Sequence, residues 1–225
     1  MKLEPRLIVT HAPADPEAAV LVLHGGASRP GSMMVSPTQL SVLRMIPIAA
    51  RLAQLGGRRL AVYRLLNSVR GWDATHTPVH DVRWALGQVR DRFGRDLPTG
   101  LVGHSLGGRA AILAATQPQV HTVVALAPWV YPSDGDRDLS GRRVLIVHGA
   151  RDRIARPDNS VAVARALGRT ADVGYISIAG GKHAMLRHHA EFDGLAARFT
   201  AATLLGADAT GPIKQILDGE HWLEL

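Results

Sequence analysis

The sequence predicts an α/β fold in which a mostly parallel central sheet of about seven or eight strands carries helices on both faces. Short apolar runs alternate with segments of helical periodicity along the chain, which is the pattern of parallel sheets. The runs are apolar at consecutive positions, as expected for strands buried on both faces. A length of 225 residues fits one domain over residues 1–225, and we expect the part after about residue 206 to be peripheral.

The predicted strands and helices follow one another regularly. The predicted strands are 7–10, 18–23, 59–66, 99–102, 122–126, 143–147 and 173–178. Helices are predicted over 39–55, 79–93, 109–116 and 162–167, and from 184 or a few residues later to 205. Right-handed crossovers between parallel strands bring the carboxyl ends of the strands to one edge of the sheet, where ligands bind in open α/β sheets. Residues that directly follow strands are therefore the candidates for a functional site.

A serine between two glycines follows the fourth predicted strand. Gly103, His104, Ser105, Leu106 and Gly107 have the pattern Gly-x-Ser-x-Gly, which is typical of a nucleophile on a sharp turn between a strand and a helix. Small residues two positions away allow the strand and the helix to approach each other. A tight turn without chemistry is the alternative interpretation of these five residues.

A second glycine-rich segment follows the strand 18–23. His24, Gly25 and Gly26 directly follow this apolar run, and glycines allow backbone N–H groups to turn toward a negatively charged oxygen. We expect the oxyanion donors to be the N–H groups of Leu106 and Ala27, with Gly26 as an alternative to Ala27. Taken alone, the glycines would be a simple turn.

A base and a carboxylate are available after later strands. A serine hydroxyl needs a base at neutral pH, and an imidazole suits that task when a carboxylate fixes its tautomer. His183 is our candidate base and Asp152 our candidate acid, and each follows a predicted strand. Asp134, in the loop after the preceding strand, is the alternative acid. Other histidines that we consider less suited are His104, His188 and His189.

Aromatic residues and a methionine are the candidates for a substrate pocket. Trp129 and Tyr131 follow the strand 122–126, while Trp72 and Met33 lie in loops on the same predicted edge. Such side chains are suited to enclosing a compact apolar group. The loop 132–141 is short, so we expect an open site without a separate cap domain.

Four segments of the chain resemble the α/β-hydrolase family in a compact, lidless form similar to dienelactone-hydrolase-like proteins and small carboxylesterases. They are LVLHGGA up to Ala27, GLVGHSLGG around Ser105, VLIVHGARDRIARP around Asp152 and AGGKHAML around His183. Serine, acid and histidine also follow the chain order of that family. The resemblance implies a single-domain α/β-hydrolase fold with a Ser-His-Asp triad. Ile154, Ala155 and Lys182 depart from the residues that are more usual in the family.

Composition limits the remaining function classes. The net charge is +7, but the basic residues form no continuous run, so we expect no nucleic-acid partner. No apolar run has the length of a membrane span, and the first residues contain prolines and acidic residues where a secretory signal would be apolar. The expected location is the cytoplasm. Cysteine is absent from the sequence, which excludes disulfides and thiolate chemistry.

The sequence therefore favours a serine hydrolase that cleaves esters of small acyl groups through an acyl-enzyme, most simply a carboxylesterase acting on a small-molecule ester. We expect no cofactor and no metal, because a triad needs neither. The alternatives are an acyl-thioesterase or peptidase of the same fold, or a noncatalytic ligand-binding protein of that fold. The oligomeric state cannot be deduced from the sequence.

Overall fold

Eight strands form one sheet in the computed structural model, which describes residues 4–26 and 35–225. The strands are β1 (Arg6–His11), β2 (Ala18–Leu23), β3 (Leu60–Leu66), β4 (Thr99–His104), β5 (Val120–Leu126), β6 (Arg143–Gly149), β7 (Asp172–Ile178) and β8 (Trp222–Glu224). Their order across the sheet is β1-β3-β2-β4-β5-β6-β7-β8. Only β1 is antiparallel to its neighbour. The carboxyl ends of β4, β5, β6 and β7 therefore meet near the middle of one edge.

Helices cover both faces of this sheet. They are α1 (Leu40–Leu43), α2 (Met45–Gly56), α3 (Thr77–Phe93), α4 (Leu106–Ala114), α5 (Pro157–Leu167), α6 (His189–Leu205) and α7 (Gly211–Leu217). Short 3₁₀ turns lie at Gly57–Arg59, Pro132–Gly135 and Leu186–His188.

The inner strands β2 to β7 are buried because each one contributes to two apolar cores, whereas the edge strands β1 and β8 stay partly exposed. Alternate strand residues point to opposite faces, and one core joins the sheet to α3, α4 and α5, while the other joins it to α2, α6 and α7. The predicted α/β class with helices on both faces is confirmed. Within the described residues, no set of helices forms a cap domain above the sheet edge.

The predicted helix 39–55 is interrupted at Arg44, where α1 ends and α2 begins. Pro47 accounts for the break, because proline has no N–H to donate to the carbonyl of residue 43 and its ring clashes with that carbonyl. Near the start of α2 the same proline is tolerated, since the first helical N–H groups have no intrahelical acceptor.

Residues beyond Gly206 add more structure than the sequence patterns indicate. α7 packs Ile213 and Ile216 into the core, and β8 extends the sheet by pairing with β7. The ring of Trp222 lies 5.0 Å from that of Tyr175. This segment therefore covers the β7 edge of the sheet. In the part of the chain that the structure describes, no helix is long and apolar enough to cross a membrane.

Candidate active site

Ser105 lies on a sharp turn between β4 and α4. Its φ of 57° and ψ of −120° belong to a region that non-glycine residues rarely adopt, and such strain concentrates at functional sites. The turn is possible because its flanking glycines have no side chain. A Cβ on Gly103 would lie 2.1 Å from the carbonyl oxygen of Gly107, and one on Gly107 would lie 2.3 Å from that of Leu23.

Ser105, His183 and Asp152 are joined by hydrogen bonds across three loops. Ser105 Oγ lies 2.9 Å from His183 Nε2, and His183 Nδ1 lies 2.8 Å from Asp152 Oδ2. These loops follow β4, β7 and β6, whose carboxyl ends share one sheet edge. The structure thus brings together the three residues that the sequence suggested as nucleophile, base and acid.

Asp152 is buried and its carboxylate is fully engaged. Oδ1 accepts the N–H groups of Ile154 and Ala155, at 2.8 and 3.0 Å. Burial opposes ionisation, but hydrogen bonds from His148, His183 and Ile154 outweigh it and hold the pKa of Asp152 below its usual range. The carboxylate therefore stays charged at neutral pH and orients His183 through Nδ1–H.

His148, at the end of β6, is a member of this network that sequence reasoning missed. Its Nε2 lies 3.1 Å from Asp152 Oδ2, and its Nδ1 lies 2.8 Å from the hydroxyl of Ser160. In the neutral ring, donation by Nε2–H to the carboxylate leaves Nδ1 to accept the Ser160 proton. A histidine four residues before the candidate acid, at a strand end, was the available signal.

His104 directly precedes the nucleophile, but its ring contacts the loop that carries His183. Its ring Nε2 lies 2.9 Å from the backbone carbonyl of His183, and the two rings are 5.0 Å apart. Burial, together with the neighbouring His183, lowers the pKa of His104 to about 3. The neutral ring therefore donates Nε2–H to that carbonyl and helps to fix the backbone of the His183 loop.

Asp134 has a different partner. Its carboxylate makes two hydrogen bonds to Arg109, at 2.8 and 3.0 Å, and accepts the N–H of Tyr131 at 2.9 Å. The Arg109 guanidinium is stacked between Trp72 and Tyr131, 4.3 and 4.8 Å from their ring centres. The geometry thus assigns Asp134 to a buried ion pair rather than to His183. Trp72 and Tyr131 flank that ion pair.

The candidate oxyanion donors lie beside Ser105 where the structure describes them. Leu106 is the first residue of α4, so its N–H has no intrahelical acceptor. Gly26 lines the same cavity as Ser105 and Leu106, and a Cβ on it would lie 3.6 Å from the Leu106 side chain. Ala27, the other candidate donor, lies outside the described residues.

His24 holds the backbone that leads to Gly26. Its Nδ1 lies 2.6 Å from the Gly25 carbonyl, and its Nε2 accepts the N–H of Asn67 at 3.2 Å. Burial lowers the pKa of His24, so the ring is neutral and carries its proton on Nδ1. The end of β2 is thereby tied to the end of β3.

A largely apolar cavity of about 590 Å³ opens above Ser105. Trp129 lines it, as the sequence suggested, whereas Trp72 and Tyr131 are not among its described lining residues, and Met33 lies outside the described part of the chain. Its mouth is formed by apolar side chains that the sequence analysis did not name as pocket residues: Leu40, Leu43, Ile154 and Leu186. All four are exposed to solvent. Their only sequence signal was the placement of large apolar residues in loops and at helix ends.

The arrangement is suited to nucleophilic attack by a serine on a carbonyl group. It supplies a hydroxyl, an imidazole within hydrogen-bonding distance, a charged carboxylate behind the imidazole and a backbone donor at a helix start. Within residues 4–26 and 35–225, no three histidine, aspartate or glutamate side chains are grouped so that they could hold a metal ion.

Comparison with known proteins agrees with this fold. Residues 95–198 match the model of the alpha/beta hydrolase family. No curated protein sequence matches the chain significantly.

Several solved structures have similar backbones at low sequence identity. Est1E from Butyrivibrio proteoclasticus is 15% identical with a TM-score of 0.66, over 89% of this chain and 94% of that one. The esterase domain of a Rhodothermus marinus protein is 17% identical with a TM-score of 0.64, over 89% and 92% of the two chains. XC6422 from Xanthomonas campestris, described as an α/β serine hydrolase without a lid, is 16% identical with a TM-score of 0.62, over 92% and 90%. The chain therefore has an α/β-hydrolase fold, and its residues 95–198 match the model of that family.

Proposed function

We propose that the protein is a serine hydrolase that cleaves carboxylic esters of small acyl groups, with Ser105 as nucleophile, His183 as general base and acid, and Asp152 as the residue that orients His183. The observation that carries this proposal is the continuous pair of hydrogen bonds, 2.9 Å from Ser105 to His183 and 2.8 Å from His183 to Asp152. An esterase domain is among the solved structures of similar fold, which agrees with it.

The first half of the reaction forms an acyl-enzyme. Ser105 Oγ attacks the ester carbonyl carbon while His183 Nε2 takes the hydroxyl proton. The bond between that carbon and the leaving oxygen then breaks, and the same proton passes from Nε2 to the leaving oxygen. In the second half, water attacks the acyl group with its proton taken by His183, and Ser105 Oγ leaves with that proton. The carboxylic acid is released and the serine is restored.

Charge that develops on the carbonyl oxygen needs donors that are already in position. The N–H of Leu106, at the start of α4, is our first candidate, and the second comes from the segment after β2, at Gly26 or Ala27. Each such donor contributes on the order of 10²- to 10³-fold to the rate in comparable hydrolases. The close approach of Gly107 to the end of β2 supports a site shared by these two segments.

The apolar cavity beside Ser105 is our candidate acyl site. Trp129 forms part of its wall, and Leu40, Leu43 and Leu186 extend the apolar surface to the mouth. The volume of this cavity, about 590 Å³, lies within the range of small-molecule sites. We therefore expect a small acyl group to be held in this cavity while the leaving group remains at the open side.

A series of p-nitrophenyl esters of increasing acyl length, assayed with the wild type and Ser105→Ala, tests this proposal. We expect kcat/KM to be highest for short acyl chains, and Ser105→Ala to lose at least about 10³-fold of the activity with an unchanged fold. Circular dichroism of the variant is the control. A steady rise toward long acyl chains would indicate a lipase instead.

Acyl-thioesters and peptides assayed in parallel distinguish the other hydrolase chemistries. Turnover of thioesters alone would indicate a thioesterase, and turnover of peptides alone a peptidase. A folded wild type that hydrolyses none of these compounds would indicate a noncatalytic ligand-binding protein.

A further inference from the structure

A second groove, of about 810 Å³, adjoins the candidate active site on the side of His183. It shares Ile154, His183 and Ala184 with the apolar cavity. The two spaces therefore meet at the imidazole, so that a ligand at Ser105 has access to both.

Cationic side chains distinguish this groove from the cavity, whose lining arginine, Arg44, is paired with Asp193. Three cationic side chains, Arg151, Arg153 and Lys182, line the groove and are exposed to solvent. Among the described residues, none of the three has a carboxylate within ion-pair distance. Of the described residues that line the groove, only Asp152 is acidic, and its buried carboxylate is already bound by His148 and His183.

Two adjacent loops hold these cations next to the imidazole. The N–H of Arg151 donates to the carbonyl of Gly181 at 2.9 Å, so the loop after β6 is joined to the loop that carries Lys182 and His183. Arg151 and Lys182 also line a neighbouring cavity with Arg187 and His188. Positive charge therefore extends outward from His183 along one side of the site.

The chemistry of His183 determines which part of a substrate faces this side. Its Nε2 takes the serine proton and must deliver it to the leaving oxygen, which therefore lies within hydrogen-bonding distance of Nε2. The carbonyl oxygen faces the backbone donors instead. The leaving group, and not the acyl group, is accordingly the part of the ester that continues past His183.

We propose that Arg151, Arg153 and Lys182 form a leaving-group subsite that selects esters whose alcohol portion carries an anion such as phosphate, sulfonate or carboxylate. This subsite presupposes the ester hydrolysis proposed above and specifies the substrate class of the candidate active site. Cleavage breaks the bond between acyl carbon and leaving oxygen, and the anionic alcohol departs with the proton from His183. The anion itself stays intact.

Two chromogenic esters that differ in leaving-group charge test this subsite. They are p-nitrophenyl butyrate, which is neutral, and 3-butyryloxy-4-nitrobenzoate, whose leaving group carries a carboxylate. The measured quantity is the ratio of their kcat/KM values, compared between protein variants so that the intrinsic reactivities of the two esters cancel. We expect Arg151→Ala, Arg153→Ala and Lys182→Ala each to lower the anionic-to-neutral ratio, by roughly two- to five-fold, as for exposed ion pairs.

Arg58→Ala is the matched control. Arg58 is also exposed, and its substitution removes the same charge. It lies before β3, at the opposite edge of the sheet. We expect this variant to keep the wild-type ratio. High salt should lower the ratio for the wild type, because screening weakens interactions between exposed charges.

Insensitivity of the ratio to the three substitutions and to salt, with both esters hydrolysed, would overturn the subsite. The salt series on the wild type decides the question even where a variant fails to fold. Binding to phosphatidylglycerol vesicles with an unchanged ester ratio would likewise overturn it and assign these cations to a membrane surface. A folded wild type that hydrolyses neither ester would instead contradict the ester hydrolysis on which the subsite depends.

Discussion

Asp152 and Asp134 have similar positions in the sequence but different partners in the structure. Both follow a strand at the active-site edge. The structure gives Asp152 two histidines as partners and gives Asp134 an arginine. A carboxylate that is already paired bidentately with Arg109 has little capacity left for an imidazole.

We expect Asp152→Asn to reduce kcat by roughly 10²- to 10⁴-fold, because an amide can donate to Nδ1 and favour the wrong tautomer of His183. Asp134→Asn should keep a larger share of the activity, and its main effect should be lower stability, because it leaves the buried Arg109 without its counter-charge. Steady-state kinetics and urea unfolding of both variants measure the difference. Full activity in Asp152→Asn together with loss in Asp134→Asn would reverse the assignment.

At the scale of elements, the first turn of α4 is set by its contact with the end of β2. Gly107 is the residue at that contact, where any Cβ would lie 2.3 Å from the carbonyl oxygen of Leu23 and 2.7 Å from that of His24. Both are backbone atoms, so they cannot move aside as a flexible side chain can. The placement of the Leu106 N–H next to the segment after β2 depends on this approach.

Gly107→Ala should therefore lower the free energy of unfolding by at least about 1–3 kcal/mol, as in other overpacked cores, and should reduce activity as well. Gly87→Ala is the control, since a Cβ there has no atom within 4 Å in the middle of α3. That variant should be more stable by about 0.5–1 kcal/mol because alanine has the higher helix propensity. Equal stability of the two variants would show that the contact is unimportant.

A second coupling between elements passes through Arg109. The guanidinium joins α4 to Asp134 in the loop after β5 and packs on Trp72 in the loop after β3. Gly71, next to Trp72, lies close to Gly26, because a Cβ on Gly26 would lie 2.8 Å from the Gly71 nitrogen. The ion pair thus supports the backbone on one side of the candidate oxyanion site without touching the reacting atoms.

For the whole molecule, two buried histidines make stability depend on pH. Burial, with the nearby His183, lowers the pKa of His104 from 6.5 to about 3, and burial also lowers the pKa of His24. Below pH 6.5 the unfolded chain therefore binds protons that the folded chain does not. Stability falls as pH falls through this window, by roughly 1.4 kcal/mol per pH unit for His104, and His24 adds a contribution of the same sign.

Urea unfolding at pH 7 and pH 5 measures this effect. We expect the free energy of unfolding to be lower at pH 5, and His104→Gln to show a smaller pH dependence because glutamine does not titrate. Glutamine can also donate to the His183 carbonyl, which limits the structural disturbance. An identical pH dependence in the wild type and His104→Gln would contradict the assignment of a neutral, buried His104.

Most of the fold could be predicted from the sequence because the buried strands are continuously apolar and are separated by helical periodicity. The class, the helices on both faces and the sheet of eight strands agree with that prediction. The break at Arg44 was missed because apolar periodicity continues through Pro47. The strand β8 was missed because it has only three residues and lies at the edge of the sheet.

The candidate site was less predictable away from its three central residues. Ser105, Asp152 and His183 follow strands and so could be found in the sequence, whereas His148 and His104 owe their roles to contacts between loops. The mouth residues Leu40 and Leu186 lie 146 positions apart in the chain and come together at one cavity. No local sequence pattern encodes such a long-range meeting of loops.

Covalent labelling with a fluorophosphonate, followed by intact-mass and peptide mass spectrometry, tests the central claim most directly, which is that Ser105 is a nucleophile activated by His183. The wild type should gain one phosphonyl group, on Ser105. Ser105→Ala should gain none, and His183→Ala should react much more slowly, since the serine then lacks its base. Labelling at another residue, or no labelling of a folded wild type, would contradict the account.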